Sequence, residues 1–100
     1  MSTKQEKLEK YLEELPKYTS NIDEAKLAEI VDLLGPSIFN DDAETVACSD
    51  EAELLRVLES SVLEKLGVKA TLDDAKAVCE KMGTSNRNKY RAVFYYLLAE

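Results

Sequence analysis

Residues 88–98 read NKYRAVFYYLL. Tyr90, Val93, Phe94, Leu97 and Leu98 recur there at the three- and four-residue spacing that lines up side chains on one face of an α-helix, with Tyr95 and Tyr96 alongside. No other stretch of helical period is so apolar, so this helix, capped by Ser85 or Asn86, is expected at the centre of the fold. Before it, Thr71-Leu72-Asp73-Asp74 sets a hydroxyl N-cap three residues ahead of a carboxylate. Leu72, Ala75, Val78, Cys79 and Met82 then follow at helical spacing up to Gly83. A further helix is predicted to begin after Ser49 or Asp50, where Asp50 and Glu53 repeat the capping spacing, and to run to Leu66, just before Gly67. Leu55, Leu58, Val62 and Leu66 form its expected buried stripe, widened by Leu54 and Leu63.

Nearer the N-terminus, Leu27, Ile30, Val31 and Leu34 make the core face of a helix capped by Ser20 or Asn21 and stopped by Gly35-Pro36. Leu8, Tyr11, Leu12 and Leu15 make another, capped by Ser2 or Thr3. It should end near Glu14, because Pro16 biases Leu15 away from the α region. Residues 37–49 are the least periodic and predict a short helical turn near Ile38 followed by an irregular connection. No segment alternates with period two. The expected fold is therefore all-α, a compact array of about five helices with an extra short turn near Ile38, in a single domain over 1–100.

One hundred residues leave room for one core and exclude a multidomain enzyme. Thirteen Lys and Arg against twenty Asp and Glu give a net charge of -7, so a globally basic nucleic-acid binder is excluded. The charge is uneven: residues 1–50 hold five basic and twelve acidic side chains, whereas residues 51–100 hold eight of each. The longest apolar run, Ala92–Ala99, is far short of the roughly 20 residues that a membrane helix needs, so no membrane span is expected. The first residues lack the apolar core of a secretory signal. Two cysteines, Cys48 and Cys79, are too few for a disulfide scaffold and too far apart for a CxxC pattern, which fits a reducing cytoplasm.

Tyr18-Thr19-Ser20-Asn21, Cys48-Ser49-Asp50, Cys79-Glu80-Lys81-Met82 and the terminal Phe94-Tyr95-Tyr96-Leu97-Leu98-Ala99-Glu100 together resemble an uncharacterised family of small bacterial helical proteins, numbered 2853 among the domains of unknown function. The resemblance covers residues 18–100 and implies an all-helical domain, a bacterial origin and no assigned activity. It implies no catalytic residues.

The absence of histidine removes Ser-His-Asp and Cys-His catalysis and histidine-ligated zinc within the chain. No phosphate-binding glycine loop is present, and Gly35, Gly67 and Gly83 read as helix terminators. No catalytic residue and no cofactor are expected. No metal site is expected either: Asp41-Asp42-x-Glu44 matches no calcium loop, and Asp73-Asp74 suits a helix N-terminus. Cys48, before a helix start, is a candidate reactive thiol opposed by Asp50, its bland alternative being a partly buried anchor. Pairing of Cys48 with Cys79 needs Cα atoms within roughly 7 Å, which sequence leaves open.

The basic stretch around Arg87, Lys89 and Arg91 is a candidate anion-binding site. Arg87 and Arg91 share a helical face, but Lys89 points about 160° away, and pairing with the acidic first half of the chain is the favoured alternative. Tyr95 and Tyr96 are candidate interface residues, since neighbours on a helix are not expected to face one core together. The leading reading is a non-enzymatic cytoplasmic interaction or structural protein acting through its helix surfaces, with a protein partner or self-association and no membrane. The alternative is an anion or nucleic-acid binding module built on the basic start of the last helix, nucleic acid being the less favoured partner.

Overall fold

Thr3 opens the first helix in extended conformation, and its Oγ1 accepts the Glu6 N–H at 3.2 Å, satisfying one of the backbone donors that a helix start leaves without partners. That helix, α1, spans Lys4–Glu14. The computed structural model describes residues 3–39, 44–83 and 89–99. Pro16 ends α1 as expected but does not push Leu15 out of the α region. Leu15 keeps helical dihedrals, and the chain tightens into a 3-10 turn over Leu15–Lys17 with proline in its first turn, where a missing N–H costs nothing. Tyr11 and Leu15 are fully buried, and Lys7 is buried with them.

Helix α2 runs Glu24–Leu34 and starts later than the sequence suggests. Its cap is Asp23, whose carboxylate accepts the Lys26 N–H at 3.2 Å, rather than Ser20 or Asn21. The reason lies across the molecule: the Tyr96 hydroxyl donates to the Asn21 carbonyl at 2.8 Å and accepts the Asp23 N–H at 2.7 Å, holding Asn21 outside the helix. Gly35, at a positive φ of 60°, turns the chain into a 3-10 helix over Gly35–Phe39. This is the expected turn near Ile38, and Ile38 is buried.

The third expected helix is divided. Helix α3 spans Glu51–Leu58 and α4 spans Ser61–Leu66. Asp50 caps α3 through Ala52 N–H at 3.0 Å. Between the two, Ser60 is extended and its Oγ accepts the Val62 N–H at 3.2 Å, a fresh N-cap in the middle of an apolar run. The break rotates the inward face, so that Leu54, Val57, Val62 and Leu63 are buried while Leu55 is 44% exposed, against its expected place in the core stripe. At the end of α4, Gly67 adopts the left-handed conformation and Val68 N–H reaches the Leu63 carbonyl at 3.0 Å.

Helix α5, Leu72–Met82, opens on the expected capping box: Thr71 Oγ1 accepts Asp74 N–H at 3.2 Å and the Asp74 carboxylate accepts Thr71 N–H at 2.9 Å. The last helix, α6, covers Arg91–Leu98 with Tyr90 as a cap that makes no side-chain bond. Ser85 and Asn86, the expected caps, lie outside the described residues. All residues from Ala92 to Leu97 are buried, which puts α6 at the centre, against α2 above all and also against α1 and α5. The five expected helices are thus present, the third of them split, and the fold is all-α. Among the described residues no strand forms, and one isolated antiparallel bridge joins Thr45 to Tyr90. A single buried cluster runs through every helix, and the radius of gyration of 12.3 Å is close to the ~13 Å of a compact 100-residue domain.

Candidate functional site

The strongest concentration of polar chemistry lies under the segment that leads into α3. Glu44 is buried there, and its Oε2 accepts from Lys7 Nζ at 2.7 Å and from the Tyr11 hydroxyl at 2.7 Å, with Lys10 Nζ at 3.5 Å. Lys7 and Tyr11 are four residues apart and so project from the same side of α1, while Lys10 stands beside them. The Lys10 ammonium also lies 4.5 Å from the centre of the Tyr90 ring, which packs against Tyr11 with centroids 5.2 Å apart. Burial by itself would raise the Glu44 carboxyl, but the hydrogen bonds from Lys7 and Tyr11 and the charges of both lysines outweigh it and hold Glu44 below the ordinary carboxylate value. Burial raises the Tyr11 phenol well above its usual value, reinforced by its bond to the Glu44 anion. For Lys10 burial works downward, yet the Glu44 carboxylate and the Tyr90 phenol group leave it raised.

The next residues continue the attachment. Val46 N–H donates to the Lys89 carbonyl at 2.8 Å, and the Thr45 carbonyl lies 3.5 Å from an Arg91 guanidinium nitrogen. Arg91 forms a close ion pair with Glu53 on α3, both side chains largely buried. Of the candidate anion site, Arg91 is therefore engaged by a carboxylate of the same chain, Lys89 is buried at 7% exposure, and Arg87 lies outside the described residues. The intramolecular alternative accounts for Arg91, although its partner Glu53 comes from the second half of the chain rather than the acidic first half.

Two expectations require correction. Cys48 is not a free thiol, because its Sγ is bonded to that of Cys79 with Cα atoms 5.9 Å apart. Sequence alone leaves this pairing open, because it does not fix the Cα distance between residues 31 apart. Tyr95 and Tyr96 are not surface residues: both are 2% exposed. Neighbours on a helix point about 100° apart, and a helix enclosed on several sides gives each its own wall. Tyr96 uses its hydroxyl on the linker before α2, and Lys26 caps the far end of α6 by donating to the Ala99 carbonyl at 3.0 Å while its ammonium lies 5.2 Å from the Tyr96 ring.

Residues 10–100 match the profile of a family described as "Protein of unknown function (DUF2853)". The chain belongs to this family. No curated protein matches it. In this DUF2853 chain no group of three or more metal-ligating side chains gathers among the described residues, and Asp41 and Asp42 lie outside them. Among the described residues, no helix is long and apolar enough to cross a membrane. Sequence does not announce the Glu44 cluster, because Glu44 reads there as part of the acidic run Asp41-Asp42-x-Glu44. Its one legible trace was Lys7, four residues before the core residue Tyr11 and so on the edge of the apolar stripe, where a lysine needs an anion.

Proposed function

We propose that this DUF2853 protein is a non-catalytic interaction or structural domain that acts through the outer faces of its helices. The observation that carries the reading is where the reactive groups go: Glu44, Lys7, Tyr11, Arg91 and Glu53 are turned inward and bond to one another, and the two cysteines are joined. Groups so engaged set the shape of the molecule rather than meet a substrate. Outward, α1 presents Glu6, Glu9 and Glu13 to solvent, and α2 presents Glu24, Glu29 and Asp32. That acidic half favours a partner with a basic surface, since complementary charge speeds encounter and selects against acidic competitors. A cytoplasmic location belongs to the same proposal and would make the Cys48–Cys79 bond accessible to cellular thiols.

The test is capture from a lysate by the wild-type chain and by a Glu6→Lys, Glu9→Lys, Glu13→Lys variant. A defined basic protein should be retained at low salt, released as salt rises, and lost with the variant while helicity and melting temperature are kept. Retention that nuclease or free phosphate removes, unaffected by the α1 charge reversal, would overturn the reading in favour of anion binding.

A further inference from the structure

We propose that the Cys48–Cys79 disulfide is a reversible redox modification site, reduced by dithiol reductants, whose state decides whether the strap of residues 44–50 stays fastened to the helices. The strap has two kinds of attachment. At its start the Glu44 carboxylate is seated on α1, Val46 is buried and bonded to the Lys89 carbonyl, and Thr45 bridges to Tyr90. Towards its end, between Val46 and the Asp50 cap of α3, Ala47 and Ser49 are exposed, and the covalent bond to Cys79 is what ties this part to α5. The two cysteines differ in access. Cys48 is half-buried in a turn closed by Asp50 N–H on the Ala47 carbonyl at 3.0 Å, whereas Cys79 is 8% exposed on the inner face of α5.

The exposure difference sets the direction of attack. A thiolate of the dithiol meets Cys48 Sγ, the bond to Cys79 breaks, and Cys79 leaves as a thiolate that takes up a proton. The second thiol of the reductant then attacks the mixed disulfide, releasing Cys48 as a thiol and closing the reductant into its own disulfide. Two electrons and two protons pass from dithiol to protein, and the reverse sequence with an oxidised dithiol restores the bond. Without the tether, only the start of the strap is held, by the Glu44 carboxylate, by buried Val46 with its bond to the Lys89 carbonyl, and by the contacts of Thr45 with Tyr90 and Arg91, while the exposed turn at its end is released. Opening there uncovers Glu44, Lys7 and Tyr11 together, because all three meet at one carboxylate oxygen. Reduction of the bond and release of the strap involve no binding partner, so their test is separate from that of the interaction surface.

The experiment uses the full chain in native buffer, poised with reduced and oxidised dithiothreitol, with alkylation and mass measurement to count thiols and hydrogen exchange to follow the strap. In oxidising buffer no thiol should alkylate. In reducing buffer both should, without denaturant, and the Val46 amide should exchange at least tenfold faster while central α2 amides change less than twofold. A Cys48→Ser, Cys79→Ser variant should exchange like the reduced protein and ignore the reductant. If that variant fails to fold, the reduced wild-type protein carries the same comparison. Free thiols under oxidising conditions, a bond that resists the dithiol until the protein is denatured, or unchanged Val46 protection after reduction would each overturn the proposal.

Discussion

Removing the carboxylate of Glu44 leaves the Lys7 ammonium and the Tyr11 phenol without the acceptor that both use, in a place where water enters poorly. Breaking a buried ion pair from one side typically costs about 3–5 kcal/mol, so Glu44→Ala should lower the unfolding free energy by that order in a urea melt. Lys10→Ala should cost less than about 1 kcal/mol, because that side chain is 41% exposed and stands 3.5 Å from the carboxylate. The same cluster fixes a pH response. Glu44 in the folded protein lies below its ordinary value of 4.5, so its contribution is whole above that pH and is lost as pH falls through the folded value. Tyr11 and Lys10 are raised, so their contributions are whole below about 10 and decline as pH rises further. Urea melts between pH 7 and 3 should therefore show stability falling below about pH 4.5, and Glu44→Gln should flatten that fall. An equal acid slope in the variant would remove Glu44 as its source.

At the scale of the element, the junction of α3 and α4 makes neighbouring leucines unequal. Leu54 is 1% exposed and Leu55 44%, so Leu54→Ala should cost about 2–5 kcal/mol and Leu55→Ala less than about 0.5 kcal/mol in the same melts. One unbroken helix with Leu55 in its buried stripe would instead make both substitutions costly. Where sequence and structure agree, the cause is local: Thr3, Asp50 and Thr71 with Asp74 cap within three residues of themselves, and Gly35, Gly67 and Gly83 hold positive φ at helix ends. Where they part, the cause is remote or unmarked. Asn21 looks like a cap as good as Asp23 until the Tyr96 hydroxyl, 75 residues away, claims its carbonyl. Glu59-Ser60 carries neither glycine nor proline, so nothing in the apolar period announces the new cap at Ser60. The Glu44 cluster likewise joins residues 33 and 37 positions apart, and only a lysine beside a core tyrosine pointed to it.

Across the whole molecule, the central helix is held by bonds that bring distant parts of the chain to its two ends. Arg91 ties its start to Glu53, and Tyr90 just before it meets Thr45. Tyr96 and the Ala99 carbonyl fasten its end to the start of α2. With one core cluster and these cross-ties, separate unfolding of any helix pair would strip apolar surface from the rest. The oxidised protein should therefore unfold in one transition, in which helicity and the fluorescence of its five tyrosines, unobscured by tryptophan, change together. The disulfide acts on the other side of that equilibrium. It closes a loop across 31 residues, and restricting the unfolded chain to that degree is worth ~3–4 kcal/mol. With a urea dependence of roughly 1–1.5 kcal/mol per molar for a chain of this size, reduction should move the unfolding midpoint down by about 2–4 M. Parallel melts with and without dithiothreitol measure it, and coincident midpoints would mean that the loop is already restricted in the unfolded chain or that the bond strains the fold by as much as it restrains its alternative.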